Sequence, residues 1–200
     1  MFQAMDNPSH TDTRTRILTE AERLFRHYGY GKTTIADISE ACGMSSANVY
    51  RFFPSKSALM EAICGRLITD LHVRLHEITR MPLPASDRLG LFVGEMYQNT
   101  LENLLDHRKV HEMVVVAMDE QWLAIRTHLD RITDLLGALI EDGIASGEFP
   151  PKDVKRMAKT AHAAMVCFCH PVVVAQKLDD EERATPEEIA AFIVSALKSK

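Results

Sequence analysis

The sequence predicts an all-α protein of about nine helices. Three observations lead there: apolar residues recur at helical spacing in nearly every segment, no stretch shows the two-residue period of a strand, and the breaks carry capping residues, glycines and prolines. The first stripe is Ile17, Leu18, Ala21, Leu24, Phe25 and Tyr28, ended by Gly29. Thr34 with Asp37 forms a capping box opening a short helix with Ile35, Ile38 and Ala41. Gly43 stops it, and Ser45 is placed to cap a third helix holding Val49, Phe52 and Phe53. Pro54 ends that one, and Ser55 caps a long helix bearing Leu59, Ile63, Leu67, Leu71, Leu75 and Ile78.

Pro82 and Pro84 forbid a continuous helix and mark a linker. Five further helices are expected beyond it. One carries Phe92, Met96, Tyr97, Leu101 and Leu104; the next covers about residues 111–120; a longer one runs from Trp122 through Leu129 and Leu136 to Gly147. Pro150 and Pro151 are expected to open a helix with Ala158, Ala161, Met165 and Phe168, which Pro171 must kink or end. The last has Thr185 as N-cap, Pro186 at the first helical position and Glu188 completing a capping box. This divides the chain into a polar arm (1–10), a helix-turn-helix domain (11–59) and a helical regulatory and dimerisation domain (60–200).

Composition narrows the function classes. With 46% hydrophobic and 26% charged residues, the chain can bury a core without disulfides or metals. No apolar run approaches the roughly 20 residues that span a bilayer, and residues 1–10 lack the pattern of a signal peptide, so no membrane partner and a cytoplasmic location are expected. Cys42, Cys64, Cys167 and Cys169 then read as reduced thiols, the first two as small core fillers. Residues 1–60 hold seven Lys/Arg against six Asp/Glu, whereas residues 61–200 hold sixteen against twenty-two. A near-neutral head on an acidic body suits a DNA reader with few, local contacts and argues against coating nucleic acid by bulk charge. No Gly-rich phosphate loop, nucleophile elbow or His-Glu-x-x-His pattern supports an enzyme, and no cofactor is called for. The acidic run Asp179–Glu182 reads as solvated charge in a loop.

Two short helices joined at Gly43-Met44-Ser45 make a helix-turn-helix, in which the first braces on phosphates and the second offers its leading side chains to base edges. Ser45, Ser46, Ala47 and Asn48 are small or amide-bearing, and Asn48 has the donor and acceptor that read adenine. Tyr50, Arg51 and Lys56 carry phosphate-seeking groups, and Thr33 and Thr34 offer hydroxyls at another helix start. Helix spacing alone leaves open a helical bundle that never touches DNA.

The run from Gly31 to Leu59, GKTTIADISEACGMSSANVYRFFPSKSAL, resembles the DNA-binding signature of the TetR/AcrR family of regulators, and residues 14–30 resemble the helix preceding it. The matching features are Thr33-Thr34, the Gly43-Met44-Ser45 turn, Tyr50, Phe53, Lys56 and Leu59. Ala47 stands where glycine is frequent, and Arg51-Phe52 where histidine or tyrosine is. The resemblance implies that Thr33, Thr34, Tyr50 and Lys56 hold phosphates, that Ser46, Ala47 and Asn48 face bases, and that Val49 and Phe53 lock the helices together. Beyond residue 60 it extends only to the helical layout and the turn Gly143…Gly147-Glu148-Phe149, and implies a ligand pocket and a four-helix dimer interface.

Candidate pocket residues are Phe92, Met96, Tyr97, Met113, Met118, Trp122, His162, Met165 and Phe168, whose chemistry favours a hydrophobic or aromatic small-molecule effector. Candidate interface residues are Ala158, Ala161 and Ala164 in 152–176, and Ile189, Phe192, Ile193 and Ala196 in 186–198. A homodimer would read a near-palindromic duplex operator. Two alternatives stand beside the ligand-released repressor: a DNA-binding regulator without small-molecule input, and a soft-metal sensor. The latter draws on His72/His76, His107/His111 and the His162, Met165, Cys169 stripe. No metal site is expected from them, because the first pair interleaves with Leu71 and Leu75 and the stripe fits core packing equally. Cys167 and Cys169 point to different helix faces.

Overall fold

A computed structural model of the chain describes residues 10–103 and 123–199. Among these residues there are ten helices and no strand: α1 His10–Tyr28, α2 Ile35–Ala41, α3 Ser46–Phe52, α4 Lys56–Thr79, α5 Ala85–Asn103, α6 Leu123–Ala145, α7 Val154–Ala164, α8 Val166–Cys169, α9 Pro171–Gln176 and α10 Pro186–Lys198. The helix expected over 111–120 lies outside the described residues, and so do His107, His111, Met113, Met118 and Trp122.

Capping side chains decide where these helices begin. Thr34, Ser45, Ser55 and Thr185 each accept a backbone N–H from the first turn, as the sequence predicts, and Thr34 and Thr185 complete capping boxes with Asp37 and Glu188. At α7 the expectation was off by one signal: Asp153, not the Pro150-Pro151 pair, starts the helix by accepting from the Arg156 N–H. The run 152–176 is three helices: the break at Pro171 is the expected one, and that at Met165 is not. Met165 closes α7, and His170 is extended (φ −84°, ψ 115°), because the ring of Pro171 crowds the residue before it out of the helical region.

The apolar stripes then assemble two cores. In the head, Ile17, Leu18, Ala21, Leu24 and Phe25 of α1 meet Ile35 and Ile38 of α2, Val49 of α3, Phe53, and Leu59, Met60, Ile63 and Cys64 of α4. Tyr28 is not in the stripe: it is 55% exposed and stands edge-on to His27. In the body, the second half of α4 (Leu71, Leu75, Ile78) packs with α5, α6, α7 and α10 around Phe92, Leu136, Leu139 and Met165. Each such side chain contributes about 1.5–3 kcal/mol by leaving water. Leu129, expected in the α6 stripe, is 47% exposed.

The predicted Gly143…Gly147-Glu148-Phe149 turn closes the body. A Cβ at Gly143 would run into the Phe149 ring, so only glycine lets that ring fold back on α6. Glu148 accepts from the N–H groups of Ala85 (2.7 Å) and Ser86 (3.1 Å), so the turn caps α5 as well. Buried Arg88 joins the Thr79 carbonyl to Asp142 (3.0 Å).

α4 belongs to both cores, its N-terminal half to the head and its C-terminal half to the body. A chain of polar contacts runs alongside. Glu22 of α1 pairs with Arg66 of α4 and with Arg26, and Arg26 donates to Asn103 of α5 (3.0 Å). Asn103 donates to the carbonyl of Asn99, whose side-chain oxygen accepts from Arg74 (2.7 Å). No helix among the described residues is long and apolar enough to cross a membrane.

Candidate nucleic-acid interface

The reading motif is built by its turn. Gly43 takes φ +60°, the left-handed conformation that reverses the chain within a few residues. Its N–H donates to the Glu40 carbonyl (2.9 Å) and that of Met44 to the Ser39 carbonyl (2.9 Å), closing α2. Ser45 then caps α3 through the Asn48 N–H (3.3 Å). A contact not foreseen from the sequence spans the turn: the Ser39 and Ser46 hydroxyls lie 3.0 Å apart. Ser39 gives its hydrogen to the Ala36 carbonyl, so Ser46 is the donor between them. The signal available was a serine on the buried stripe of α2, where a polar side chain needs a partner.

Val49, with no exposed surface, pins α3 to the head, and Phe53 follows it inward. The opposite side of α3 carries the predicted readers. Ala47, Tyr50 and Arg51 are exposed, Ser45 is exposed at the leading end, and Ser46 and Asn48 are half-buried. The Asn48 amide nitrogen leans on the Met44 sulfur (3.9 Å). Arg14 of α1 lies over the Phe53 ring (4.9 Å) and brings a cation beside the end of α3. Its position before the first apolar stripe gave no sign of this.

Three expected phosphate contacts are engaged within the head. Thr33 is 2% exposed and its hydroxyl donates to the Gly29 carbonyl (2.9 Å), which also accepts the Thr33 backbone N–H, so this hydroxyl ties the turn after α1 and does not face outward. The Lys56 ammonium donates to the carbonyls of Tyr30 (2.9 Å) and Thr33 (3.1 Å) and sits over the Tyr30 ring (4.2 Å). Thr34 is exposed, but its hydroxyl donates to Asp37 (2.7 Å). Hydrogen bonds from the Thr34 backbone and side chain hold the Asp37 carboxyl below its usual range.

In the body, four candidate pocket residues are core. Phe92, Met96, Met165 and Phe168 are each at most 5% exposed. Tyr97 is half-buried, edge-on to Phe168 (5.9 Å) and beneath Arg183 (5.7 Å). Tyr97 and Phe168 line a cleft of about 140 Å³ with Cys167, Val174, Lys177, Arg183 and Ala184. His162 lies elsewhere, bonded to Thr133 (3.1 Å). Met113 and Trp122 are outside the described residues.

The candidate interface residues divide. Ala158, Ala161 and Ile193 are buried in the protomer's own core, at most 4% exposed, because α7 and α10 need these positions to pack on α6 and α5. Phe192 (66% exposed) and Ala196 face outward, and Ile189 is half-buried between them and the core.

His72 does not pair with His76; it bonds across to His128 of α6. Among the described residues no three His, Cys, Asp or Glu side chains could hold a metal ion. Cys42 and Cys64 are buried, as expected of core fillers, and burial pushes the Cys64 thiol up to about 12.

Comparison with known proteins fits this geometry. Residues 17–63 match the family model described as bacterial regulatory proteins, tetR family, and residues 85–190 match the tetracyclin repressor-like C-terminal domain. The transcriptional repressor KstR2 of Mycolicibacterium smegmatis is 26% identical over 158 residues, covering 74% of this chain and 73% of the relative. A TetR transcription regulator from Haloarcula marismortui superposes with a TM-score of 0.76 at 24% identity, over 94% of this chain and all of that one. The transcriptional regulator FadR of Bacillus subtilis, solved with stearoyl-CoA, superposes with a TM-score of 0.63 at 14% identity, over 92% of this chain and 97% of that one. With the helix-turn-helix in the head and the all-helical body behind it, the chain belongs to the TetR family of DNA-binding transcriptional regulators.

Proposed function

We propose that the chain is a homodimeric repressor that reads a near-palindromic operator in the cytoplasm and is released from it by a small hydrophobic or aromatic molecule. The observation that carries the reading is α3 itself. It is pinned by Val49 on one side and presents Ala47, Tyr50 and Arg51 on the other, with Ser46 and Asn48 at its leading turn. One seven-residue helix reads too few base pairs to find a site among genomic competitors, so two copies must act together. Two-fold symmetry would set the reading helices roughly 34–36 Å apart, on successive major grooves.

The repressor assignment draws on relatives such as KstR2, and the apolar effector on the composition of the body and on a structural relative that holds stearoyl-CoA. A regulator without small-molecule input is the second reading. It is favoured by the complete burial of Phe92 and Met165, which fill space an effector would need.

The test is selection of bound duplexes from a random library, followed by mobility shifts at several salt concentrations. A palindromic consensus, bound with a salt-dependent affinity, is the expected result. Recovery of no consensus above the library background would overturn the reading. Adding a panel of apolar metabolites to the selected complex then separates the two versions: release by any member supports an effector, and retention by all supports the second.

A further inference from the structure

Three histidines from three helices meet where α4 crosses the body. His72 Nε2 of α4 lies 2.9 Å from His128 Nδ1 of α6, and the two rings stack with centroids 5.1 Å apart. His162 of α7 is anchored to Thr133 of α6 and is near enough for its charge to be felt at His128. The Thr133 hydroxyl gives its hydrogen to the Leu129 carbonyl (3.0 Å), so His162 Nδ1 is the donor to Thr133. In the neutral state the group is satisfied: one imidazole of the pair donates and the other accepts.

The pair tolerates a second proton poorly, since the first still leaves one ring donating to the other. A doubly protonated pair has donors facing each other at 2.9 Å and loses the hydrogen bond between α4 and α6. Among the described residues, the charged or titratable groups that press on the pair from the surrounding elements are Arg131 of α6 and His162 of α7, each a cation when protonated. We infer that the His72–His128–His162 cluster is a proton-operated latch between α4 and the body, so that mild acid loosens α4 and weakens operator binding. α4 is the element through which this acts, because its N-terminal half lies in the head core directly after α3. The effect on DNA rests on the operator-reading function; the latch itself does not.

The sign follows from the direction in which the rings are displaced. Burial, with His72 and His162 adding repulsion, lowers His128 from 6.5 to about 4. Burial and Arg131 lower His72, and burial lowers His162. A loosened arrangement, with hydrated imidazoles at ordinary values, binds more protons. The closed state is therefore favoured in full above about pH 6.5 and loses that advantage as pH falls toward 4. For His128 alone, the preference drops about tenfold between pH 7.5 and 5.5.

The experiment uses the full chain and three measurements between pH 7.5 and 5.5: histidine ring resonances by NMR, amide exchange along α4, and affinity for a duplex selected from a random library at pH 7.5. The latch predicts a His128 ring that titrates well below the other histidines. It also predicts faster exchange in the C-terminal half of α4 at pH 5.5, after correction for the intrinsic rate. Operator affinity should fall as the closed population falls, by at most about tenfold, and much less in His128→Phe, which keeps the stacked ring but takes no proton. A His128 that titrates at its ordinary value, or α4 exchange that does not change, overturns the latch. Affinity that falls equally in the wild type and in His128→Phe overturns its coupling to DNA. Should His128→Phe fail to fold, His128→Gln, which can still hydrogen-bond to His72 but takes no proton, replaces it in the same comparison. If no duplex is selected at all, the DNA-reading function fails, and the NMR and exchange arms still decide the latch.

Discussion

At the scale of single residues, the head separates side chains that hold it together from those left to face a partner. Asn48 is in the first turn of α3 with its amide near the surface, so Asn48→Ala is expected to relax sequence preference by about 1–3 kcal/mol at one position per half-site. Competition against single-base operator variants measures this, and unchanged discrimination would remove Asn48 from the reading set. Lys56 presents the opposite case. Its ammonium joins the Tyr30 and Thr33 carbonyls across the loop between α1 and α2, and a half-buried cation making such bonds contributes about 1–3 kcal/mol. Lys56→Ala should therefore lower the denaturant midpoint and weaken binding to every duplex alike. An unaltered midpoint with a salt slope reduced by about 0.9 would return Lys56 to the phosphate contacts.

At the scale of elements, helix starts were legible because a cap is a local event. Ser45 and Thr185 announce helices by chemistry confined to four residues, and each caps as expected. Ser45→Ala should cost about 1 kcal/mol in chemical denaturation, since it leaves the Asn48 N–H without its acceptor. A loss below a few tenths would mean that water replaces the cap. Long-range partners were not legible in the same way. The spacing of His72 and His76 shows only that they share a helix face; that His72 meets His128 depends on how α4 crosses α6, fifty-six positions along the chain. Ala158, Ala161 and Ile193, expected at an interface, are buried in the protomer's own core, for a related reason. Periodicity identifies an apolar face but not whether the protomer or a partner covers it, and here α7 and α10 turn those residues inward. Thr33 and Lys56 show the same limit within the head, where a polar group beside a turn serves a carbonyl as readily as a phosphate.

At the scale of the whole molecule, assembly turns on which apolar surface a protomer leaves uncovered. Along α10, Ile193 and Leu197 point into the core, while Phe192 is 66% exposed with Ala196 one turn further on. With half-buried Ile189 and exposed Ala196 beside it, Phe192 makes an apolar strip along α10 that gains by being covered. A second copy packing α10 and the exposed side of α7 about a two-fold axis would do so, and would fix the spacing of the two heads. Neighbouring positions allow a sharp contrast. Ile193→Glu forces a carboxylate into the protomer's core and should unfold it. Phe192→Glu leaves that core intact and should give a folded monomer, with native far-ultraviolet dichroism and half the mass by light scattering. Because each protomer then brings a single reading helix, operator affinity should fall to that for random duplex, while salt-dependent binding to random duplex persists. A Phe192→Glu protein that remains dimeric and binds its operator normally would move the interface away from the outer face of α10.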